Sequence, residues 1–227
     1  MFHLLTRSDP LKGQMELAIR CLDVPAKRKL YGEDPVFIFD PDDQRNRPDA
    51  DVHRAAAITW PIYPERLQRL FQKTFGLGMH NPPARVRTGQ WCEALAACLD
   101  SRLICPHCGQ EVFAESGKPT QCWSCGSSIE IPARLMAGRA IVLAQPENEL
   151  HPHHLNPYAT ETIQAPIGRI ESHPSDPAIL GLQNLSSHTW KAQLNNAQTV
   201  SIAPGQRCNL SQLEQIETHL GVVVLAR

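Results

Sequence analysis

Two short cysteine pairs constrain this chain more than anything else in it. Cys105-Pro-His-Cys108 and Cys122-Trp-Ser-Cys125 form a C-x2-C … C-x2-C set with thirteen residues between the pairs. Each C-x2-C turn puts two thiolates on one side of a tight knuckle, and two knuckles close a tetrahedron around Zn2+ with metal–sulfur distances of about 2.3 Å. Gly109 and Gly126 each follow the second cysteine of a knuckle, where a positive φ lets backbone donors face the sulfurs. A lone C-x2-C would suggest a redox dithiol. Two matched knuckles favour a structural metal over that or an iron–sulfur cluster. With Cys105, Cys108, Cys122 and Cys125 all as ligands, no coordination position is left open for catalysis. His107, inside the first knuckle, reads as solvent-facing. The knuckles span barely 30 residues, too few for a core of their own. The metal therefore supplies most of the module's folding free energy, on the order of 10 kcal/mol, and chelation is expected to melt residues 101–135 alone.

The remaining composition narrows the setting. The other four cysteines, Cys21, Cys92, Cys98 and Cys208, are scattered, unlike a secreted disulfide scaffold, so a reducing, cytoplasmic compartment is expected. The 227 residues are 42% apolar and 20% charged, which suits globular cores rather than disorder. No apolar run approaches the roughly 18–20 residues of a membrane span, and the N-terminus lacks the pattern of a signal peptide. Lys and Arg number 22 against 23 Asp and Glu. The balance argues against a nucleic-acid partner, and Arg102, Lys118 and Arg134 give the cysteine segment too little charge to neutralise phosphates.

Three regions follow from patterning: 1–100, 101–135 and 136–227. The first reads as helices joined by proline-rich loops. Met15–Leu22 is a short helix candidate ended by Pro25, and Val36–Phe39 is a short apolar run. Pro64 suits a helix N1 position, after which Leu67, Leu70, Phe71 and Phe75 make an amphipathic stripe stopped by Gly76 and Gly78. Thr88 is read as the N-cap of a further helix with Trp91, Leu95, Cys98 and Leu99 on its apolar face. In the last region Ala140–Leu143, Ile167–Ile170, Ile179–Leu182, Thr189–Leu194, Thr199–Ile202 and Gly221–Leu225 are strand candidates spaced as in a sandwich or barrel. The segment 144–166, with Pro146, Pro152, Pro157 and Pro166, reads as loop. The fold class expected is therefore α+β and multi-domain.

The order of motifs in residues 1–100 resembles the end of a protein-kinase C-lobe. The helix of residues 67–75, the Asn81-Pro-Pro-Ala-Arg85 segment and the helix carrying Trp91 follow the family's order. Phe2–Leu5 and Asp9–Gly13 resemble the end of the central C-lobe helix and the turn after it. Tyr31–Asp40 and Asn46–Pro48 resemble the insert of bacterial serine/threonine-type kinases that carry a zinc ribbon. The chain has no Gly-rich phosphate loop, V-A-I-K-type lysine, H-R-D-x-x-x-x-N loop or D-F-G. Phosphoryl transfer depends on those parts, so the resemblance carries no catalytic residue here and implies a C-lobe remnant that is not an enzyme by itself. It does imply structural roles for Trp91 and for Arg85, the latter matching an arginine that pairs with a glutamate upstream. It further implies a parent protein that phosphorylates Ser or Thr. The partners implied are the missing kinase half, a von Willebrand A-type protein and a metal-dependent protein phosphatase.

Three further constellations need weighing. Arg169, Ser186, His188 and Asn195 echo the order of forkhead-associated (FHA) phosphopeptide modules, which hold phosphate by charge-assisted hydrogen bonds. The Ser-to-His spacing is one residue short and the usual arginine is missing, so a plain sandwich with Trp190 in its core is the stronger expectation. His151, His153 and His154 read as incidental loop histidines. Asp40, Asp42, Asp43 and Asp49 read as turn chemistry.

Overall fold

The computed structural model describes residues 1–115, 117–156 and 165–227 and separates into two units, Met1–Cys98 and Leu99–Arg227. It is mixed helix and sheet, as the patterning requires. Among the described residues no helix is long and apolar enough to cross a membrane. The cysteine knuckles and the sandwich fall together in the second unit.

The first unit is helical. It contains α1 (Phe2–Thr6), α2 (Gln14–Leu17), α3 (Val24–Arg28), α4 (Arg54–Thr59), α5 (Glu65–Phe75), α6 (Leu77–His80) and α7 (Thr88–Asp100), the last running past the unit's end. Its longer helices follow the periodicity: Leu67 and Phe71 on α5 are buried, as are Ala94 and Cys98 on α7. Leu99, placed on that face from sequence, is exposed, because the stripe follows the Trp91–Ala94–Cys98 turns. The cap is also one residue earlier than Thr88. The Gln90 side chain accepts the Arg87 N–H at 3.1 Å, three residues back. Pro25 opens a helix instead of ending one: Asp23 caps α3 by accepting the Ala26 N–H at 2.9 Å, with proline in the first turn, where its missing N–H costs nothing.

Val36–Phe39 forms no strand, yet Phe37 is fully buried and stacks on Phe75 at 5.3 Å, while Phe39 stacks on Trp60 at 4.5 Å. Phe2 meets Phe37 and Phe71 edge-on, both at 5.3 Å. An irregular buried segment must find partners for its backbone: the Ile38 N–H donates to the Pro10 carbonyl at 3.0 Å and the Phe37 carbonyl accepts the Asp40 N–H at 3.1 Å, and one side chain ties the segment to the turn before α2. Asn46, fully buried, donates to the carbonyls of Val36 (2.7 Å) and Leu11 (2.8 Å) and accepts the Met15 N–H at 3.1 Å. Gly13 is required beside it, since a Cβ there would lie 2.2 Å from the Asn46 carbonyl oxygen.

The second unit begins with two hairpins that carry the knuckles, β1 (Arg102–Ile104) with β2 (Glu111–Phe113), and β3 (Thr120–Gln121) with β4 (Ser128–Ile129). The chain continues through β5 (Arg134–Ala137), β6 (Ala140–Leu143), β7 (Glu149–Leu150), α8 (Pro152–Leu155), β8 (Gly168–His173), β9 (Asp176–Asn184), β10 (Trp190–Leu194), β11 (Thr199–Ile202), β12 (Arg207–Asn209), β13 (Leu213–Glu217) and β14 (Val222–Ala226). The antiparallel strands form a six-stranded sheet, β11-β10-β13-β14-β5-β6, and a four-stranded sheet, β12-β9-β8-β7. Leu135, Trp190, Leu213 and Ile216 from the first and Ile170 and Leu182 from the second share one core, which makes the pair a sandwich. Trp190 is fully buried, as expected from sequence. It needs Gly168 opposite, where a Cβ would lie 2.9 Å from the indole. All six strand candidates are present. The segment read as loop after residue 144 instead holds β7 and α8, and Pro157 lies outside the described residues.

Asn46→Ala should remove three hydrogen bonds and strand two buried carbonyls, lowering the stability of the helical unit by about 3 kcal/mol. Denaturant unfolding followed by tryptophan emission measures this, and a loss below ~1 kcal/mol would contradict the role given to Asn46.

Candidate metal centre

The two knuckles are built alike. In the first, the Gly109 N–H donates to the Cys105 carbonyl and the Cys105 N–H to the Gln110 carbonyl, both at 2.9 Å. In the second, Gly126 bonds Cys122 and Cys122 bonds Ser127 in the same way and at the same distance. Both glycines take the expected positive φ, 71° and 73°. Those turns aim backbone donors at sulfur: the Gln110 N–H at Cys108, the Ser127 N–H at Cys125, and the Cys125 and Ser124 N–H groups at Cys122. All four sulfurs lie within 4.8 Å of one another. Cys105 Sγ is 3.7 Å from Cys125 Sγ, and Cys108 Sγ is 3.4 Å from Cys122 Sγ. A disulfide needs about 2.05 Å, and none of the eight cysteines is in one. Four sulfurs at about 2.3 Å from a central ion would stand about 3.8 Å apart, so the set fits a four-coordinate metal.

Electrostatics lead to the same conclusion. The Ser127 hydroxyl and N–H hold the Cys125 thiol down at about 6. The Cys125 N–H, helped by that of Ser124, holds Cys122 below the ordinary thiol range. The Gln110 N–H favours the Cys108 thiolate too, but desolvation and the neighbouring sulfurs push that thiol up to about 12. Negative charge in this cage is thus prepared by the backbone and limited by self-repulsion, and a cation relieves the repulsion. Ligands must be deprotonated to bind a metal, so binding displaces the Cys108 proton. The arrangement can bind and hold; with four thiolates it offers no open position for reaction.

Packing ties the centre to the sandwich. Cys105 and Cys122 are buried with Leu103, Val112, Ile129 and Leu143 in one apolar cluster, and Leu143 is the last residue of β6. The Gln145 side chain donates to the Arg102 carbonyl, and the Ala144 N–H to that of Ala133 at 2.7 Å. Sequence reasoning missed Leu143, Gln145 and Ser127. Ser127 was findable, since it directly follows the Cys125-Gly126 pair, whereas Leu143 lies eighteen positions beyond the last ligand with no local sign of its role. Of the knuckle residues, His107 is exposed as expected, and Trp123 donates its indole N–H to the Glu111 carbonyl at 2.9 Å.

Arg85 is exposed and donates from Nε to the Gly78 carbonyl at 2.9 Å, which tethers the end of α6. Trp91 is half-buried and packs on Phe71 with ring centroids 4.7 Å apart, joining α7 to α5. The four residues echoing a phosphate clamp are not brought together. Arg169 faces Glu149 across β7–β8 and donates to its carboxylate at 2.7 and 3.0 Å. The Ser186 hydroxyl donates to Asn184 Oδ1 at 2.8 Å and accepts the Trp190 indole N–H at 3.1 Å. His188 stacks on His219 at 4.1 Å. Ser186 and His188 precede β10, and Asn195 follows it, with its amide on the Ser211 carbonyl at 2.9 Å. The strand between them puts roughly 15 Å at ~3.3 Å per residue between the two groups. The aspartates do close turns: Asp40 accepts the Asp42 and Asp43 N–H groups, both at 2.9 Å. The histidines are not incidental, since His154 is buried and belongs to α8.

The site and fold define a helical unit followed by a four-cysteine ribbon joined to a β-sandwich. No protein-family model matches the chain, and neither a curated protein nor a solved structure matches it.

Because Leu143 belongs to the ribbon cluster, metal removal should not stop at residue 135. Chelation should raise amide exchange across 102–131 and at the Leu143 end of β6, leaving β8–β13 protected. Leu143→Ala should weaken the ribbon by about 2–4 kcal/mol with every ligand intact. Unchanged exchange on chelation of metal-loaded protein would refute the coupling.

Proposed function

We propose that this chain is the non-catalytic C-terminal docking or regulatory portion of a bacterial zinc-ribbon Ser/Thr-type protein kinase, and that Cys105, Cys108, Cys122 and Cys125 hold one structural Zn2+. The observation that carries the reading is the closed four-sulfur cage on a helical unit's C-terminal side, in the order the resemblance implies. Thiolate ligands of this number and spacing suit Zn2+. Four segments that resemble a kinase C-lobe, Phe2–Leu5, Tyr31–Asp40, the α5 stripe and Trp91, meet in the aromatic core of the first unit together with Trp60, which supports treating them as one remnant. Eight cysteines with no disulfide among them suit a reducing cytoplasm.

Arg85 makes the docking reading specific. Its side chain donates from Nε to the Gly78 carbonyl. An upstream kinase segment bringing a carboxylate would give this exposed guanidinium the partner that the resemblance implies. The missing kinase half is thus the first partner in this reading. A von Willebrand A-type protein and a metal-dependent phosphatase are the further ones, and nucleic acid is not. The sandwich is given no phosphopeptide role, because Arg169 is already paired with Glu149 and Asn195 stands apart from Ser186 and His188. The second reading is an independent adaptor that binds proteins through the ribbon and sandwich. The apolar Trp123 and Ile104, 46% and 50% exposed on the ribbon, favour it.

The test mixes the zinc-loaded full chain with a separately produced polypeptide carrying the Gly-rich loop, H-R-D and D-F-G parts of such a kinase. The chain alone should give no ATP-dependent phosphorylation. The mixture should raise the melting temperature, and Arg85→Ala should cut that rise by more than half. Phosphotransfer by the chain alone would overturn the non-catalytic reading. No association with the kinase polypeptide would overturn docking in favour of the adaptor.

A further inference from the structure

His151-Pro-His153-His154 does not form a metal cluster with convergent ligands. Among the described residues only the four cysteines meet that geometry. The histidines instead build α8. The His154 side chain is 1% exposed, and its Nε2 lies 3.3 Å from Asp100 Oδ1, at the end of α7, too far off line for a hydrogen bond. Its Nδ1 accepts the His151 backbone N–H at 3.0 Å, the role that Gln or Glu takes in a capping box. His153 packs against it with ring centroids 4.1 Å apart, and its Nε2 is buried with no hydrogen-bond partner. His151 stands 5.4 Å from His153, ring to ring, and its Nε2 is 3.3 Å from Glu149 Oε2.

The turn is seated in a tight cradle. A Cβ at Gly138, in the β5–β6 turn, would lie 3.3 Å from the His154 carbonyl oxygen, and one at Gly221, before β14, would lie 3.3 Å from Leu155 Cδ2. Leu155 packs on the sandwich core, and Pro152 is buried. This small element thus covers core surface beside β6, the outermost strand of its sheet.

We propose that residues 151–155 form an acid-released latch, held shut while His153 is neutral and opened when it takes up a proton. The chemistry is one of donors and acceptors. A protonated imidazole has two N–H donors and no acceptor. His153 has no acceptor for its Nε2 and would carry its charge into a desolvated site beside two other imidazoles. The charged groups facing it are His154, His151 and Asp100, and only Asp100 favours its protonation. Burial, followed by His154 and His151, holds His153 below its ordinary range. The sign follows: the seated latch binds fewer protons than the released one, so seating is fully favoured above about 6.5, the unfolded value, and is lost as pH falls below it.

Hydrogen exchange by mass spectrometry on the zinc-loaded full chain tests this, with rates corrected for intrinsic pH dependence. Between pH 7.5 and 5.5, amides of 150–156 should speed up about tenfold, equivalent to about 1.4 kcal/mol of lost seating, while β8–β10 stay unchanged. His153→Phe removes the orphaned nitrogen and the charge it would take up, and should exchange equally at both pH values. His153→Gln guards against a packing failure, since it too should at least halve the pH response. Equal wild-type protection at both pH values would overturn the proposal. So would a pH response undiminished in the variants, or uniform acceleration across the whole unit.

Discussion

Four thiolates held within 4.8 Å repel one another, and the fold of the cysteine ribbon depends on how that repulsion is met. Backbone donors meet part of it: the N–H groups of Gln110, Ser124, Cys125 and Ser127 all face sulfur. Without a cation the remainder leaves a proton on Cys108. The ribbon's apolar cluster is small, and two of its members, Cys105 and Cys122, belong to the four-sulfur set. Packing and coordination therefore fail or succeed together, and Leu143 carries that dependence into the sandwich.

The helical unit solves a different problem. Its core is organised by an irregular aromatic segment, whose backbone would be costly to bury without partners. Asn46 provides one, at Val36, and ties it to Leu11 and Met15, more than twenty residues earlier in the chain. The same logic recurs in the sandwich, where Asn184, fully buried, donates to the His188 and Ile202 carbonyls at 2.8 and 3.0 Å and accepts from Ser186. In both units one amide replaces a stretch of regular hydrogen bonding. In the sandwich it also occupies Ser186, which is one reason the phosphate-clamp echo does not assemble.

Features set by local chemistry were legible in the sequence. The knuckles, their glycines, the α5 stripe and the six strand candidates follow from spacing and periodicity. What escaped depended on distant partners. β13 was hidden by a bulge: its pairing with β10 slips between Gln193 and Leu194, so Leu213 and Ile216, three residues apart, both face the core instead of alternating. β5 straddles the division drawn between residues 135 and 136. Pro25 was read as a stop because its cap, Asp23, looks like any turn residue. The Arg169–Asn195 constellation failed since order along a chain does not place residues at the same end of a sandwich. His154 reads as an incidental loop histidine in sequence because the groups it sits against, Asp100 and Gly138, lie elsewhere along the chain.

The central claim is that one metal ion, held by Cys105, Cys108, Cys122 and Cys125, organises the second unit. Native mass spectrometry of the full chain expressed with zinc available measures it most directly. The account predicts one Zn2+ per chain, lost in Cys122→Ser and retained in Cys208→Ser, whose thiol is buried in the sandwich. A wild-type chain that carries no metal while its ribbon amides remain protected would contradict it.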